Sequence, residues 1–264
     1  MPALTCPIFL INLDGSTGRL ESARRQMESA ELTFTRLAAV DGRGRKLADF
    51  PTYDATASRR KFGRDMTTGE IGCYLSHQAA AKAFLNSGAD AGLVLEDDFL
   101  AQPGAWEIAG DVFAHMQGTD SGWELVNLSR KPRMLRKPVH TSGWLPDGMT
   151  LFRAPYFPVV STALLWSRAG AARFAAQAPR PSGPVDHVIR RLMCETGQGF
   201  ALDPAPFGTT GAKSDIAAAS VPPGPALDKN ETAAARRSHR AELKRQGSNI
   251  ALALRARILG PRSS

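Results

Sequence analysis

Cysteine is scarce in this chain of 264 residues: Cys6, Cys73 and Cys194 are the whole supply. The number is odd, and no CxxC or His/Cys ligand spacing is evident around them. A disulfide framework or zinc module is therefore not expected, and reduced thiols in a cytoplasmic setting are. Long apolar runs are also missing. No segment approaches the ~20 apolar residues of a membrane span. The apolar stretch from Pro7 to Ile11 has no basic region before it and no cleavage site after it, so it is not read as a signal peptide. Internal repeats are absent, and so is the glycine spacing of a P-loop or a dinucleotide-binding loop.

What is present is 43% hydrophobic residues, enough for one sizeable core, and a formal net charge of +8 that is unevenly placed. Nine basic residues face three acidic ones between Asp228 and Ser264, so most of the excess lies in the tail and the rest is nearly neutral. Ahead of the tail, Val221-Pro222-Pro223-Gly224-Pro225 is stiff and helix-breaking. The expected organisation is one domain over 1–220, a Pro-rich linker over 221–227 and a basic helical tail over 228–264. In the tail Leu243, Ile250, Leu254 and Ile258 can share a face, while Leu252 and Leu259 fall opposite. Two readings stay open: a packed or solvated terminal helix, or peripheral contact with an anionic membrane. The tail has no aromatic residue for base stacking, so nucleic acid is not an expected partner.

The most informative junction is Gly92-Leu93-Val94-Leu95 followed by Glu96-Asp97-Asp98. A buried strand that ends in three carboxylates can hold a hard divalent cation such as Mn²⁺ or Mg²⁺. Strand alternation points Glu96 and Asp98 into one crevice and Asp97 away from it. The same letters also suit a helix cap or a turn. Upstream, Pro7 to Asp14 reads as a buried strand that runs into the turn Gly15 to Leu20. A helix follows, and its N-terminal N–H groups and Arg19 could meet a phosphate. Thr33 to Val40 reads as a second strand ending at Asp41-Gly42, either a nucleotide contact or a common turn dipeptide. Thr67 and Glu70 have capping-box spacing for a helix from Ile71 to about Leu85, stopped by Gly88. Gly69, Gly72 and the polar pair Ser76-His77 are costly inside that helix, and they make sense if a backbone or ligand comes close.

These segments in this order (Ile11-Asn12-Leu13-Asp14, Arg19, Ala39-Val40-Asp41-Gly42, Gly69 to His77 and Leu95 to Asp98) resemble glycosyltransferase family 25. The family includes bacterial lipooligosaccharide galactosyltransferases and animal collagen galactosyltransferases. The resemblance runs on through Ser161 to Ala171 and Pro184-Val185-Asp186, covering about residues 7 to 216. One departure is that Gly15 and Ser16 stand where the family usually carries arginine after the first Asp, which leaves Arg19 as the matching cation. The resemblance implies an α/β, GT-A-like fold with a twisted, mainly parallel sheet flanked by helices. It implies a UDP-sugar donor, with UDP-galactose the expected one, a glycan or lipooligosaccharide acceptor, and inversion assisted by Mn²⁺ or Mg²⁺. Asp98 and Glu96 are then the expected metal ligands. Asn12, Asp14, Arg19, Asp41, Glu70, Ser76, His77, Glu96 and Asp97 are the expected donor-site residues. Asp186 is the candidate base by its family position, and its other reading is a carboxylate at a helix N-terminus; His187 beside it could be a ligand or an acceptor contact. A metal-dependent nucleotidyltransferase and a catalytically silent sugar- or membrane-binding protein are the alternatives. The expected location is cytoplasmic, with the inner face of the cytoplasmic membrane as a peripheral site.

Overall fold

The computed structural model describes residues 4–139, 143–211 and 229–259. In chain order the first half contains β1 (Ile8–Asn12), α1 (Thr17–Glu28), β2 (Thr35–Ala38), α2 (Ala55–Phe62), α3 (Thr68–Asn86), β3 (Ala91–Glu96), β4 (Phe99–Ala101) and α4 (Ala105–Gln117). The second half adds β5 (Leu125–Asn127), β6 (Lys137–Pro138), β7 (Thr150–Arg153), β8 (Ala163–Ser167), α5 (Arg168–Gln177), α6 (Val185–Thr196), β9 (Gly199–Asp203), β10 (Phe207–Thr209) and α7 (Lys229–Leu259). Eight strands form one sheet in the order β2-β1-β3-β8-β5-β9-β7-β6, and β10 pairs with β4 in a small antiparallel ribbon. Only β8 and β7 run against the others, because each is antiparallel to both of its neighbours. The sheet is thus mostly parallel in direction, as expected.

Both faces are covered, and alternation along the strands shows how. Ile8, Leu10, Leu93, Leu95, Ala163 and Leu165 pack on the face occupied by α1 and α4. Phe9, Ile11, Val94, Leu164 and Trp166 pack on the opposite face, with α3, α5 and α6. Burial on two sides is why β1 and β3 read as unbroken apolar runs.

Helix α3 begins at the expected capping box: Glu70 N–H donates to Thr67 Oγ1 at 3.1 Å and Thr67 N–H to Glu70 Oε2 at 2.8 Å. Its glycines serve a close backbone approach. A Cβ on Gly72 would lie 2.4 Å from the Val40 carbonyl oxygen, and one on Gly42 would lie 2.0 Å from that of Thr68. The chain leaving β2 is thereby pressed against the start of α3.

Helix α7 is seated on α2 and α6. Asn249 and Ala253 are 2% and 0% exposed, and Ala253 packs with Tyr156 and Cys194. Arg245 lies over the Phe62 ring at 4.5 Å. Over this stretch the tail belongs to the folded body, while the expected linker 221–227 lies outside the described residues.

Candidate active site

The carboxylate triplet sits where β3 ends, on the sheet edge to which β1 and β2 also deliver their C-terminal ends. Glu96 is the last strand residue and shares the face of Val94, which points it toward α3. There His77, 3% exposed, places Nε2 at 2.9 Å from Glu96 Oε1, and Ser161 Oγ donates to the same oxygen at 2.6 Å. Burial works against the Glu96 charge. The hydrogen bonds and charge of His77, with help from Ser161, outweigh it and hold the carboxyl below its ordinary range.

Asp97 departs from the expected alternation, because the strand stops at Glu96 and Asp97-Asp98 form a turn. It does not point away from the crevice; all three carboxylates line the same cleft. Asp97 accepts from Asn12 Nδ2 at 2.7 Å and pairs with Arg19 at 3.3 Å. Asn12 is 1% exposed and its Oδ1 accepts from Arg36 Nε at 2.9 Å, so Asn12 fixes Asp97 from the end of β1. Asp98 is different. Its Oδ1 is buried without a hydrogen-bond partner among the described residues. Burial, then the neighbouring Glu96 and Asp97, push its pKa up to about 6.

The opposite wall of the cleft comes from Gly69, Cys73, Ser76 and His77 on α3 and from Ala39 to Arg43 after β2. Ser76 Oγ accepts from Val40 N–H at 2.9 Å and donates to Gly72 O at 2.7 Å, which makes it a brace for the β2 exit. Asp41 lines the cleft and is clamped by Arg43, whose Nη2 lies 2.7 Å from Oδ2; that guanidinium holds the Asp41 carboxyl below its usual range. Donor atoms of Cys73, His77 and Glu96 lie within 4.8 Å of one another, a group that could hold a metal ion. The Cys73 thiol is raised well above its ordinary pKa by burial and by Glu96.

Asp186 lies in the first turn of α6 and accepts from His187 N–H at 2.8 Å. Burial pushes it up to about 6; the His187 N–H opposes this, Glu96 adds to it, and Arg190 and His77 oppose it. It is therefore within electrostatic reach of Glu96 and His77, although it does not line the cleft itself.

The structure brings Arg19, Asp41, Ser76, His77, Glu96, Asp97 and Asp98 together around one cleft. Three expected donor-site residues stand elsewhere. Asp14 is exposed and pairs with Arg36 at 2.6 Å. Glu70 caps α3 and takes a two-pronged ion pair from Arg64 at 2.7 and 2.6 Å. Asn12 acts through Asp97 rather than on the cleft. Cys73, Arg43 and Ser161 escaped the sequence reading. Cys73 was legible, for it stands four residues before His77 and so on the same helix face, a spacing that the cysteine inventory overlooked.

A match to known proteins bears on this arrangement. The model of glycosyltransferase family 25 (LPS biosynthesis protein) matches residues 5–132. Over that segment the chain is similar to glycosyltransferase family 25. Every cleft residue named above lies within the matched segment, whereas Ser161 and Asp186 lie beyond it. A family 25 relative from Danio rerio, procollagen galactosyltransferase 1, is 27% identical over 139 residues, 50% of this chain and 22% of that protein. A glycosyltransferase 25 family member from Anopheles gambiae is 30% identical over 155 residues, 56% of this chain and 25% of that protein. The human inactive glycosyltransferase 25 family member 3 is 27% identical over 191 residues, 69% of this chain and 31% of that protein. The chain thus spans a third or less of the length of these relatives. A crystal structure of a glycosyltransferase involved in glycosylation of the major capsid of PBCV-1 aligns with 90% of this chain and 99% of its own, at 12% identity and a TM-score of 0.39. Among the described residues no helix is long and apolar enough to cross a membrane.

Proposed function

We propose that the chain transfers a sugar, with galactose the first to test, from a UDP-sugar to a hydroxyl of a glycan acceptor such as lipooligosaccharide, with inversion. The observation that carries this reading is Asp98. A buried carboxylate oxygen with no hydrogen-bond partner among the described residues, beside two more carboxylates on an accessible cleft, is a site short of positive charge. The oxygen donors of Asp98 and Glu96 fit Mn²⁺ or Mg²⁺, and these two residues would hold the ion. When bound, such an ion offsets the charge that grows on the departing diphosphate. Arg19 and Asn12 keep Asp97 turned toward the β1 end, and His77 and Ser161 hold Glu96 ionised and in place. Asp41 and Arg43, clamped together at the cleft's other rim, would receive the nucleoside end of the donor in this reading.

Inversion requires a base that takes the acceptor proton on the face opposite the leaving group. Asp186 fills that role in this reading. With a pKa of about 6 it is mostly ionised at neutral pH and more basic than an ordinary carboxylate. On α7, Leu243, Leu254 and Ile258 are exposed among basic residues, which supports peripheral contact with the inner face of an anionic membrane.

Incubation with UDP-galactose, Mn²⁺ and a lipooligosaccharide acceptor tests the reading. UDP release matched by a one-hexose mass gain is the expected result. Pyrophosphate release would mark a nucleotidyltransferase instead, and donor binding without turnover across UDP-hexoses and acceptors would mark a silent protein.

A further inference from the structure

A second cavity, of about 360 Å³, lies between α2, α6 and α7, and its volume is within the usual range for small-ligand sites. Its wall carries five basic side chains from three separate parts of the chain: Arg60 and Lys61 on α2, Arg191 on α6, and Lys244 and Arg245 on α7. Two of them are neutralised locally, Arg191 by Glu195 at 2.9 Å and Arg245 by Glu242. Arg60, Lys61 and Lys244 make no ion pair among the described residues, and Lys61 has only a 3.5 Å hydrogen bond to Ser182 Oγ. Burial, then Arg191 and Arg60, lower the Lys61 pKa, with Asp54 and Glu195 opposing.

Two polar groups on the same wall lack hydrogen-bond partners among the described residues. Asn249, 2% exposed, has an unpaired Oδ1, and His187 has an unpaired, buried Nδ1. Burial, with Arg245 and Arg190, pushes His187 down to about 4, so it is a neutral ring able to donate or accept. Buried polar atoms without partners are rare, and each calls for a missing group. A phosphate ester on a polyol supplies both kinds: anionic oxygens for the cations and an Nδ1–H, and a hydroxyl to donate to the Asn249 carbonyl.

We propose that this cavity is a subsite for a phosphate group carried on the saccharide acceptor. The word acceptor rests on the transferase reading above; the binding of a phosphorylated saccharide does not. His187 follows Asp186 directly, so a ligand held in the cavity lies beside the group assigned as base.

Calorimetric titration of the full chain with glucose 6-phosphate and with glucose, without donor, tests the subsite. The phosphate form should bind at least about tenfold more tightly, the worth of one charge-assisted hydrogen bond. The double variant Arg60→Gln/Lys244→Gln should erase that preference; both side chains are exposed, so the fold, checked by melting, should be kept. Asn249→Asp, which sets a carboxylate against the phosphate, should erase it too. Equal affinity for the two sugars, or a preference unchanged in the variants, would overturn the proposal. So would charge-dependent binding of phosphatidylglycerol vesicles without binding of the sugar phosphate, which would give the cations to a lipid surface. A parallel titration with UDP-galactose separates the two readings: donor binding without sugar-phosphate binding removes the subsite alone, and the converse removes the transferase reading alone.

Discussion

The cleft at the end of β3 and the cavity under α7 are opposite in charge and opposite in construction. The acidic wall of the cleft is built from neighbours in sequence: three consecutive carboxylates, two of them tied to cations or donors by the strands and helices beside them. The cavity gathers cations from residues 60–61, 191 and 244–245, brought together by helix packing alone. Among the described residues, one carboxylate in the cleft and three cations in the cavity make no ion pair. Local pairing fixes the geometry, and the surplus is what the two proposals rest on: a cation with its diphosphate in one place, a phosphate in the other.

The largest expected effect breaks the acidic half of this comparison. Asp98→Asn should abolish transfer, since a neutral amide is a poor ligand for a dication facing diphosphate. The same change should stabilise the metal-free protein. The Asp98 pKa is raised from 3.8 to about 6 by the fold, so ionising it is unfavourable there. Its contribution to stability is full below about pH 4 and is lost as pH rises through about 6. A melting series with EDTA should therefore show the variant above the parent at pH values over about 6, with the gap closing toward about 4. Full turnover by the variant, or by the parent in excess EDTA, would refute the metal role.

Asp186→Asn comes next. A roughly hundredfold or larger fall in kcat is expected, the usual size of a general-base contribution, with donor affinity little changed. In the parent, kcat/KM should fall as pH drops through about 6, where Asp186 takes up its proton, and this acid limb should vanish in the variant. Loss of UDP-sugar binding by calorimetry would instead assign Asp186 to the donor pocket.

The contrast also explains what the sequence made legible. The triplet at the end of a buried strand, the capping box of α3 and the glycines around Gly72 are local patterns, and the last two have the physical causes expected of them. The orientation of Asp97 was not legible, because alternation holds only while the strand lasts and the turn begins one residue earlier than assumed. Glu70 reads equally well as cap or ligand, and only Arg64, six residues away, decides for the cap. The basic cavity has no sequence signature at all, since its residues converge through the seating of α7.

That seating can be tested directly. Ala253 is fully buried against the region of Tyr156 and Cys194, and a Cβ on Gly197 would come 2.9 Å from that of Ala256. Ala253→Leu should overpack this contact and cost about 1–3 kcal/mol, a drop in Tm of several degrees. It should also weaken sugar-phosphate binding, because α7 supplies Lys244, Arg245 and Asn249 to the cavity. A chain ending near Pro225 should lose that binding entirely, along with charge-dependent attachment to anionic vesicles at low salt. An unchanged Tm for Ala253→Leu would show that the helix does not hold this seat in solution.

The smallest effect is expected at Asp14, which the family resemblance groups with the donor site and the structure leaves at the surface. Its side chain is 79% exposed and its contact is a single ion pair with Arg36 at 2.6 Å. Exposed pairs of this kind are worth about 1 kcal/mol or less and weaken with salt, because water screens the charges and two long side chains lose freedom in meeting. Arg36 keeps its hydrogen bond to Asn12 Oδ1 without Asp14, so the support behind Asp97 survives the change. Asp14→Asn should therefore leave UDP-sugar affinity and kcat within about twofold of the parent, a difference well under the ~1.4 kcal/mol that a tenfold change represents. A tenfold loss of donor affinity would show that the turn after β1 closes over the nucleotide and carries Asp14 into contact with it.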